Sequence, residues 1–137
     1  MAISLDPYLF FQGDCKEAME FYKDVFGGEL EMSTMGESPG DFPGKNDHPD
    51  WIMHSSLKTG EFTIMGSDGA KASAKAAKIE LSLSGDDEAK LKGYFDGLAE
   101  GGTVKMPLEK QFWGDTFGQL EDKYGVEWMV NIVGKKE

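Results

Sequence analysis

The strongest constraint in this sequence is that its pattern occurs twice. A hydrophobic run ending at Gly13-Asp14 is followed by an amphipathic stretch closed by Gly27-Gly28, and a second run ending at Gly85-Asp86 is followed by another closed by Gly101-Gly102. The first pair of turns lies 72 residues apart and the second 74. Self-similarity at a fixed spacing is the signature of a repeated supersecondary unit. Any fold proposed for the chain must accommodate two copies of it.

Local signals fill in each copy. Residues 5–12 read as a strand, and Asp14 with Glu17 three positions later forms a capping-box pattern. Ala18, Phe21, Tyr22 and Val25 then recur at helical spacing. Residues 29–35 predict a second strand. Residues 36–50, with Pro39, Pro43 and Pro49, predict a long loop. Residues 51–58 and 61–65 predict a hairpin turning at Thr59-Gly60. In the second copy, residues 78–84 alternate apolar and polar, and Leu91, Tyr94, Phe95 and Leu98 mark a helix. Strands are expected at 103–109, 115–121 and 126–133, the last two joined at Lys123-Tyr124-Gly125. The fold class is therefore α+β: one domain over 1–137 made of two βαβββ modules, 1–66 and 78–137. The Gly-, Ser-, Ala- and Lys-rich residues 67–77 link them.

With 14 basic and 25 acidic residues the net charge is -11, the wrong sign for non-specific attachment to nucleic acid or an anionic membrane. No run approaches the 18 or so apolar residues of a membrane span. Cys15 is the single cysteine, so an intrachain disulfide is excluded and a cytoplasmic setting is expected.

The tandem βαβββ pattern resembles the vicinal oxygen chelate superfamily, which includes glyoxalase, bleomycin resistance and dioxygenase proteins. The run Ala18-Met19-Glu20-Phe21-Tyr22-Lys23-Asp24-Val25-Phe26-Gly27-Gly28 and the words Met106-Pro107-Leu108, Phe112-Trp113-Gly114-Asp115 and Gly125-Val126-Glu127-Trp128-Met129-Val130-Asn131 are similar to its PhnB-like branch. The resemblance implies a curved mixed sheet enclosing a cleft, with helices on the outer side. It also implies a metal position in metal-dependent members, with His or Gln on the first strand of a module and Glu on the last. Counting from the glycine turns puts these positions near Pro7, Met65, Lys78 and Met129. None suits Mg, Mn, Fe or Ni, so no metal and no cofactor are expected. A shift of two residues would bring Glu80 or Glu127 into place. The branch is associated with a methyltransferase related to demethylubiquinone, yet nothing in the sequence resembles a glycine-rich fold for a methyl donor.

Under this reading Leu9, Phe11, Thr63, Met65, Glu80, Ser82, Met129 and Asn131 line the cleft, a mainly apolar surface with a few polar groups. Trp113 and Phe117 form a wall on which a flat ligand stacks, with Asp115 meeting a polar or cationic group. His54, expected to share a face with Ile52 and Ser56, is a candidate general base. Glu80 and Glu127 are the other catalytic candidates. His48 falls in the proline-rich loop. Cys15, at a helix start, is where a thiol pKa is lowered. The expected function is a metal-independent, small-molecule-binding homodimer whose ligand is organic, cationic or aromatic. Two other readings stay open: a metal-dependent lyase, isomerase or dioxygenase with a shifted site, and a drug-sequestering resistance protein.

Overall fold

The computed structural model describes residues 4–38, 40, 46–69 and 79–134. Its elements run β1 (Tyr8–Phe11), α1 (Cys15–Phe26), β2 (Glu29–Thr34), β3 (Ile52–Lys58), β4 (Thr63–Asp68), β5 (Leu81–Gly85), α2 (Glu88–Ala99), β6 (Thr103–Lys110), β7 (Thr116–Glu121) and β8 (Glu127–Ile132). They divide into two units, Met1–Ala76 and Ala77–Glu137. The strand order is β1-β4-β3-β2 in the first and β5-β8-β7-β6 in the second. In each, the first strand pairs in parallel with the last and the others pair antiparallel. Two α+β units of one topology are what the repeated glycine turns predict. No helix among the described residues is long and apolar enough to cross a membrane.

The glycine pairs recur for a packing reason. Gly27 and Gly101 both take positive φ, at 75° and 77°, which glycine adopts without the Cβ penalty. A Cβ on Gly28 would stand 2.3 Å from the carbonyl oxygen of Lys58, and one on Gly102 would stand 2.3 Å from that of Glu121. In both units, then, the chain leaving the helix presses directly against the backbone of the following hairpin.

Each helix covers one sheet face. In the first unit Ala18, Met19, Tyr22 and Phe26 are buried along with Phe11, Leu57 and Ile64. In the second, Leu91, Phe95 and Leu98 are buried along with Leu120, Trp128, Val130 and Ile132. Burying side chains of this size contributes about 1.5–3 kcal/mol each before entropy is counted.

Four local expectations change. The Asp14 side chain makes no cap hydrogen bond. Instead the buried Asp68, at the end of β4, accepts from the N–H of Gly13 and Cys15, and from Ile52 at the start of β3. A carboxylate distant in sequence thus takes the place of the capping box. In β3, Ile52 and Ser55 are both buried while Met53 and His54 are exposed. The pairing with β2 shifts between Ser33 and Thr34, so that Ile52 lies opposite Thr34 and His54 opposite Ser33. This β-bulge separates Ile52 from the His54 face. Ser67 and Asp68, read as linker, lie in β4 and are buried; residues 70–78 fall outside the described residues. Finally, β5 begins only at Leu81, and Ile79 is exposed.

Candidate functional site

Cα partners in a ladder share a sheet face, so the register assigns every strand residue to the helix-covered face or the opposite, open one. In the first unit the open face carries the row Tyr8, Met65, Ser56 and Glu31. Phe10 and His54 lie on the same face as that row. The Tyr8 hydroxyl meets His54 Nδ1 at 3.3 Å, with ring centroids 6.0 Å apart. The Tyr8 and Phe10 rings are 5.0 Å apart. Tyr8 is 37% exposed and Phe10 58%. A phenol, an imidazole, a phenyl ring and a thioether are thereby presented together to solvent. When the Tyr8 hydroxyl donates to Nδ1, the imidazole proton sits on Nε2 and is available to an acceptor.

The register corrects two lining residues. Leu9 lies opposite Gly66, and Phe11 opposite Asp68, both on the helix side. A Cβ on Gly66 would meet the sulfur of Met19 and the Phe11 ring. A four-residue strand counted back from its turn carries a one-residue uncertainty, and a slip of one exchanges the faces. Tyr8 and Phe10 take the places expected for Leu9 and Phe11. Thr63 and Met65 lie on the open face.

In the second unit the corresponding row is Ser82, Met129, Gln119 and Met106. It repeats the first row with a methionine at the same strand position. One row further along, Asn131 lies opposite Phe117. Phe117 stands 6.3 Å from Trp113, and Trp113 stands 4.9 Å from Phe112 edge to face. Trp113 is 51% exposed and Phe112 97%. Phe112, Trp113 and Phe117 thus form one aromatic cluster at the entrance of β7. Asp115 is anchored within the fold: its carboxylate accepts from Asn131 Nδ2 at 3.1 Å and from the Gly134 N–H at 2.9 Å. It ties the entrance of β7 to the end of β8 and so positions the loop that carries this cluster.

At the other end of this face the two carboxylate candidates have partners. Glu80, just before β5, accepts from Gln119 Nε2 at 3.2 Å. Glu127 forms an ion pair with Lys105. The Lys105 ammonium is held above its ordinary pKa, first by the hydrogen bond to Glu127 and further by the negative charges of Glu127, Glu121 and Glu80.

The metal positions expected by counting are therefore re-registered. Tyr8, rather than Pro7, lies opposite Met65, and Ser82 lies opposite Met129; Lys78 falls outside the described residues. A phenol, a serine hydroxyl and two thioethers do not fit a divalent ion that prefers imidazole and carboxylate ligands. Among the described residues no three His, Cys, Asp or Glu side chains converge as a group that could hold a metal ion.

Cys15 is buried, and desolvation pushes its thiol up to about 11, opposing the lowering expected at a helix start. His48 stacks on Trp51 at 3.8 Å between ring centroids, away from the Tyr8–His54 pair in sequence and in contact. Sequence reasoning missed Tyr8, Phe10 and Lys105. The first two were hidden by strand register, the third by a bulge in β6.

Comparison with known proteins gives a consistent picture. The sequence model of the family described as 3-demethylubiquinone-9 3-methyltransferase matches residues 4–131. The chain is 35% identical to the protein YjdN of Escherichia coli (strain K12), over 94% of this chain and 95% of that one. It resembles the crystal structure of protein PA1353 from Pseudomonas aeruginosa at 39% identity and a TM-score of 0.83, covering 98% of this chain and 100% of the other. The PhnB protein from Bacillus cereus is similar at 25% identity and a TM-score of 0.74, over 96% and 100% of the two chains. A glyoxylase/bleomycin resistance protein/dioxygenase domain from Frankia sp. EAN1pec, at 12% identity and a TM-score of 0.65 over 98% and 99%, shares the fold.

Proposed function

Since this chain belongs to the PhnB-like family described as 3-demethylubiquinone-9 3-methyltransferase, with a glyoxalase/bleomycin resistance fold, we propose that it binds a small organic molecule on its open sheet faces without a metal ion. The observation that carries this reading is the exposed set of Tyr8, Phe10 and His54, beside the half-buried Met65, on the face away from the helix. Exposed aromatics grouped with a few polar atoms are what a flat organic ligand needs for stacking and orientation. Trp113 and Phe117 offer a second stacking surface in the other unit, next to Met129 and Asn131. The net charge of -11 favours ligands that carry a cationic group.

Methyl transfer is not part of this reading. Neither sheet is a doubly wound parallel sheet with the glycine-rich strand-to-helix turn that binds nucleotides. Sequestration of a cationic aromatic drug is the second reading, favoured by the half-exposed Trp113 beside Phe117. The protein is read as a cytoplasmic homodimer. The edge strands β1, β2, β5 and β6 supply surfaces that pairing would cover, and light scattering gives the stoichiometry.

The test is a ligand-observed NMR screen of flat aromatic amines and their neutral analogues against the wild type, Tyr8→Ala, Phe10→Ala and Trp113→Ala. Binding that is lost in Tyr8→Ala and Phe10→Ala supports the first-unit face. Loss only in Trp113→Ala moves the site to the second unit. Affinity unchanged in all three variants overturns the proposal. Stoichiometric retention without turnover, weakening as salt rises, selects the sequestering form.

A further inference from the structure

Given the ligand-binding reading above, on which this step rests, we propose that His54 is a proton-operated gate on the first unit's open face. As a neutral imidazole it accepts a hydrogen bond from the ammonium of a flat aromatic amine, and once protonated it repels the same ligand. The irregularity in β3 places His54 there. Ile52 lies opposite Thr34 and His54 opposite Ser33, so Met53 is an extra residue with no partner across the ladder. A bulge of this kind re-aims a side chain. The exposed His54 ring is 6.0 Å from the Tyr8 ring, which lies 5.0 Å from that of Phe10. A flat molecule stacked on these two aromatics comes within reach of the imidazole.

The Tyr8 hydroxyl holds the ring in either tautomer. It meets Nδ1 at 3.3 Å, and a hydroxyl both donates and accepts. When Nδ1–H donates to Tyr8, Nε2 is left as a bare acceptor, without a partner among the described residues. An ammonium N–H of the ligand selects that tautomer. A proton on Nε2 removes the acceptor and puts a positive charge where the ammonium would sit. Imidazole is the side chain whose ordinary titration falls between about pH 5 and 8. The strands around His54 bring no second group of that kind. Tyr8 is the titratable side chain from β1, and β4 offers none, since Asp68 lies on the helix side. From β2 comes Glu31, opposite Ser56, while Glu29 and Lys58 lie opposite each other further along. Carboxylates and ammonium groups ordinarily keep one charge across that range, so the change in affinity falls to His54.

The experiment is an NMR titration of the full chain with naphthylmethylamine, which stays cationic, and with naphthalenemethanol, its neutral analogue, at about pH 8 and about pH 5.5. Wild type, His54→Gln and His48→Gln are compared, His48 being the other histidine, stacked on Trp51. A unit positive charge beside the bound ammonium should weaken the amine by about tenfold at the lower pH in wild type and His48→Gln. The alcohol should bind equally at both pH values, and His54→Gln should hold the amine equally at both. Circular dichroism confirms that each variant is folded, and should His54→Gln fail to fold, His54→Asn takes its place. Binding of amine and alcohol with no pH dependence overturns the gate and leaves the ligand-binding reading standing. A fall that persists in the His54 variant, or an equal fall for the alcohol, does the same. Failure of both compounds to bind at either pH overturns the gate and that reading together.

Discussion

Replacing Asp68 by alanine tests the most consequential polar contact in the first unit. Asp68 is 4% exposed, and its Oδ1 accepts from the N–H of Gly13 at 2.7 Å and of Cys15 at 3.0 Å, while Oδ2 accepts from Ile52 at 2.9 Å. Three structures meet there: the turn after β1, the start of α1 and the start of β3. A hydrogen bond to a charged acceptor contributes about 1.5–3 kcal/mol, and a buried donor left unsatisfied costs a similar amount. Water entering the vacated space recovers part of this, so Asp68→Ala should cost roughly 4–6 kcal/mol, a large share of the ~5–15 kcal/mol typical of a folded domain. Asp68→Asn keeps one carbonyl oxygen for Gly13 and Cys15 but turns an amide toward Ile52, and should cost about half as much. At roughly 3 °C per kcal/mol for a chain of this length, the alanine variant should melt about 15 °C lower. Asp14→Ala is the comparison: its side chain makes no cap hydrogen bond and accepts only an exposed one from the Gln12 N–H at 3.3 Å, and a change within about 1 kcal/mol is expected. Urea unfolding followed by circular dichroism supplies the numbers. A loss below about 1 kcal/mol for Asp68→Ala, or an Asp14→Ala as damaging as it, would refute the reasoning.

Other outcomes follow from the same structure. Gly28→Ala and Gly102→Ala should each cost a few kcal/mol, because the new Cβ would lie 2.3 Å from a carbonyl oxygen, whereas Gly27→Ala meets nothing within 4 Å and should show only the backbone penalty of its positive φ, about 1–3 kcal/mol; thermal melts rank the three. Cys15, raised to about 11 by burial, keeps its proton in the native state at pH values where the unfolded thiol has lost it. Its contribution is therefore complete below pH 9 and declines as pH rises from 9 to 11. Wild-type stability should fall relative to Cys15→Ala over that window, by an amount on the order of 2 kcal/mol, as read from urea unfolding at each pH. Trp128→Phe removes the indole N–H that donates to the buried Asp122 at 2.9 Å and should cost about 2–3 kcal/mol in the same assay.

What the sequence disclosed and what it concealed divide along a physical line. Helix ends, hairpin turns and the alternation of β8 are local, set by residues within a few positions, and Gly27, Gly101 and the Val126–Ile132 pattern could be read directly, whereas the start of α1 is held by the distant Asp68. The candidate site depends on strand register, which is not local. Tyr8 faces outward because Phe11 lies opposite Asp68, and Asp68 is fixed in turn by bonds to Gly13, Cys15 and Ile52. No window of sequence around Tyr8 contains that information. The face of Met129 and Asn131 could be read because a six-residue strand with Trp128, Val130 and Ile132 on its buried face leaves its other face no alternative.

Of the irregularities where the units depart from the regular alternation that made the rest readable, two carry polar side chains to an open face. One in β3 frees His54 from the face of Ile52 and brings it to Tyr8. The other in β6 frees Lys105 and brings it to Glu127. An extra residue of this kind costs pairing and twists the strand, yet each delivers a polar side chain to an open face otherwise rich in methionine and aromatic groups. The two units keep the same glycines against the same hairpins, so their shared scaffold is fixed by packing. Their chemistry diverges at the bulges: an imidazole beside a phenol in one unit, and an ammonium among carboxylates in the other. A ligand that reads both donor–acceptor character and charge would distinguish these faces, and exchanging His54 and Lys105 for neutral, non-bonding side chains one at a time separates the two contributions.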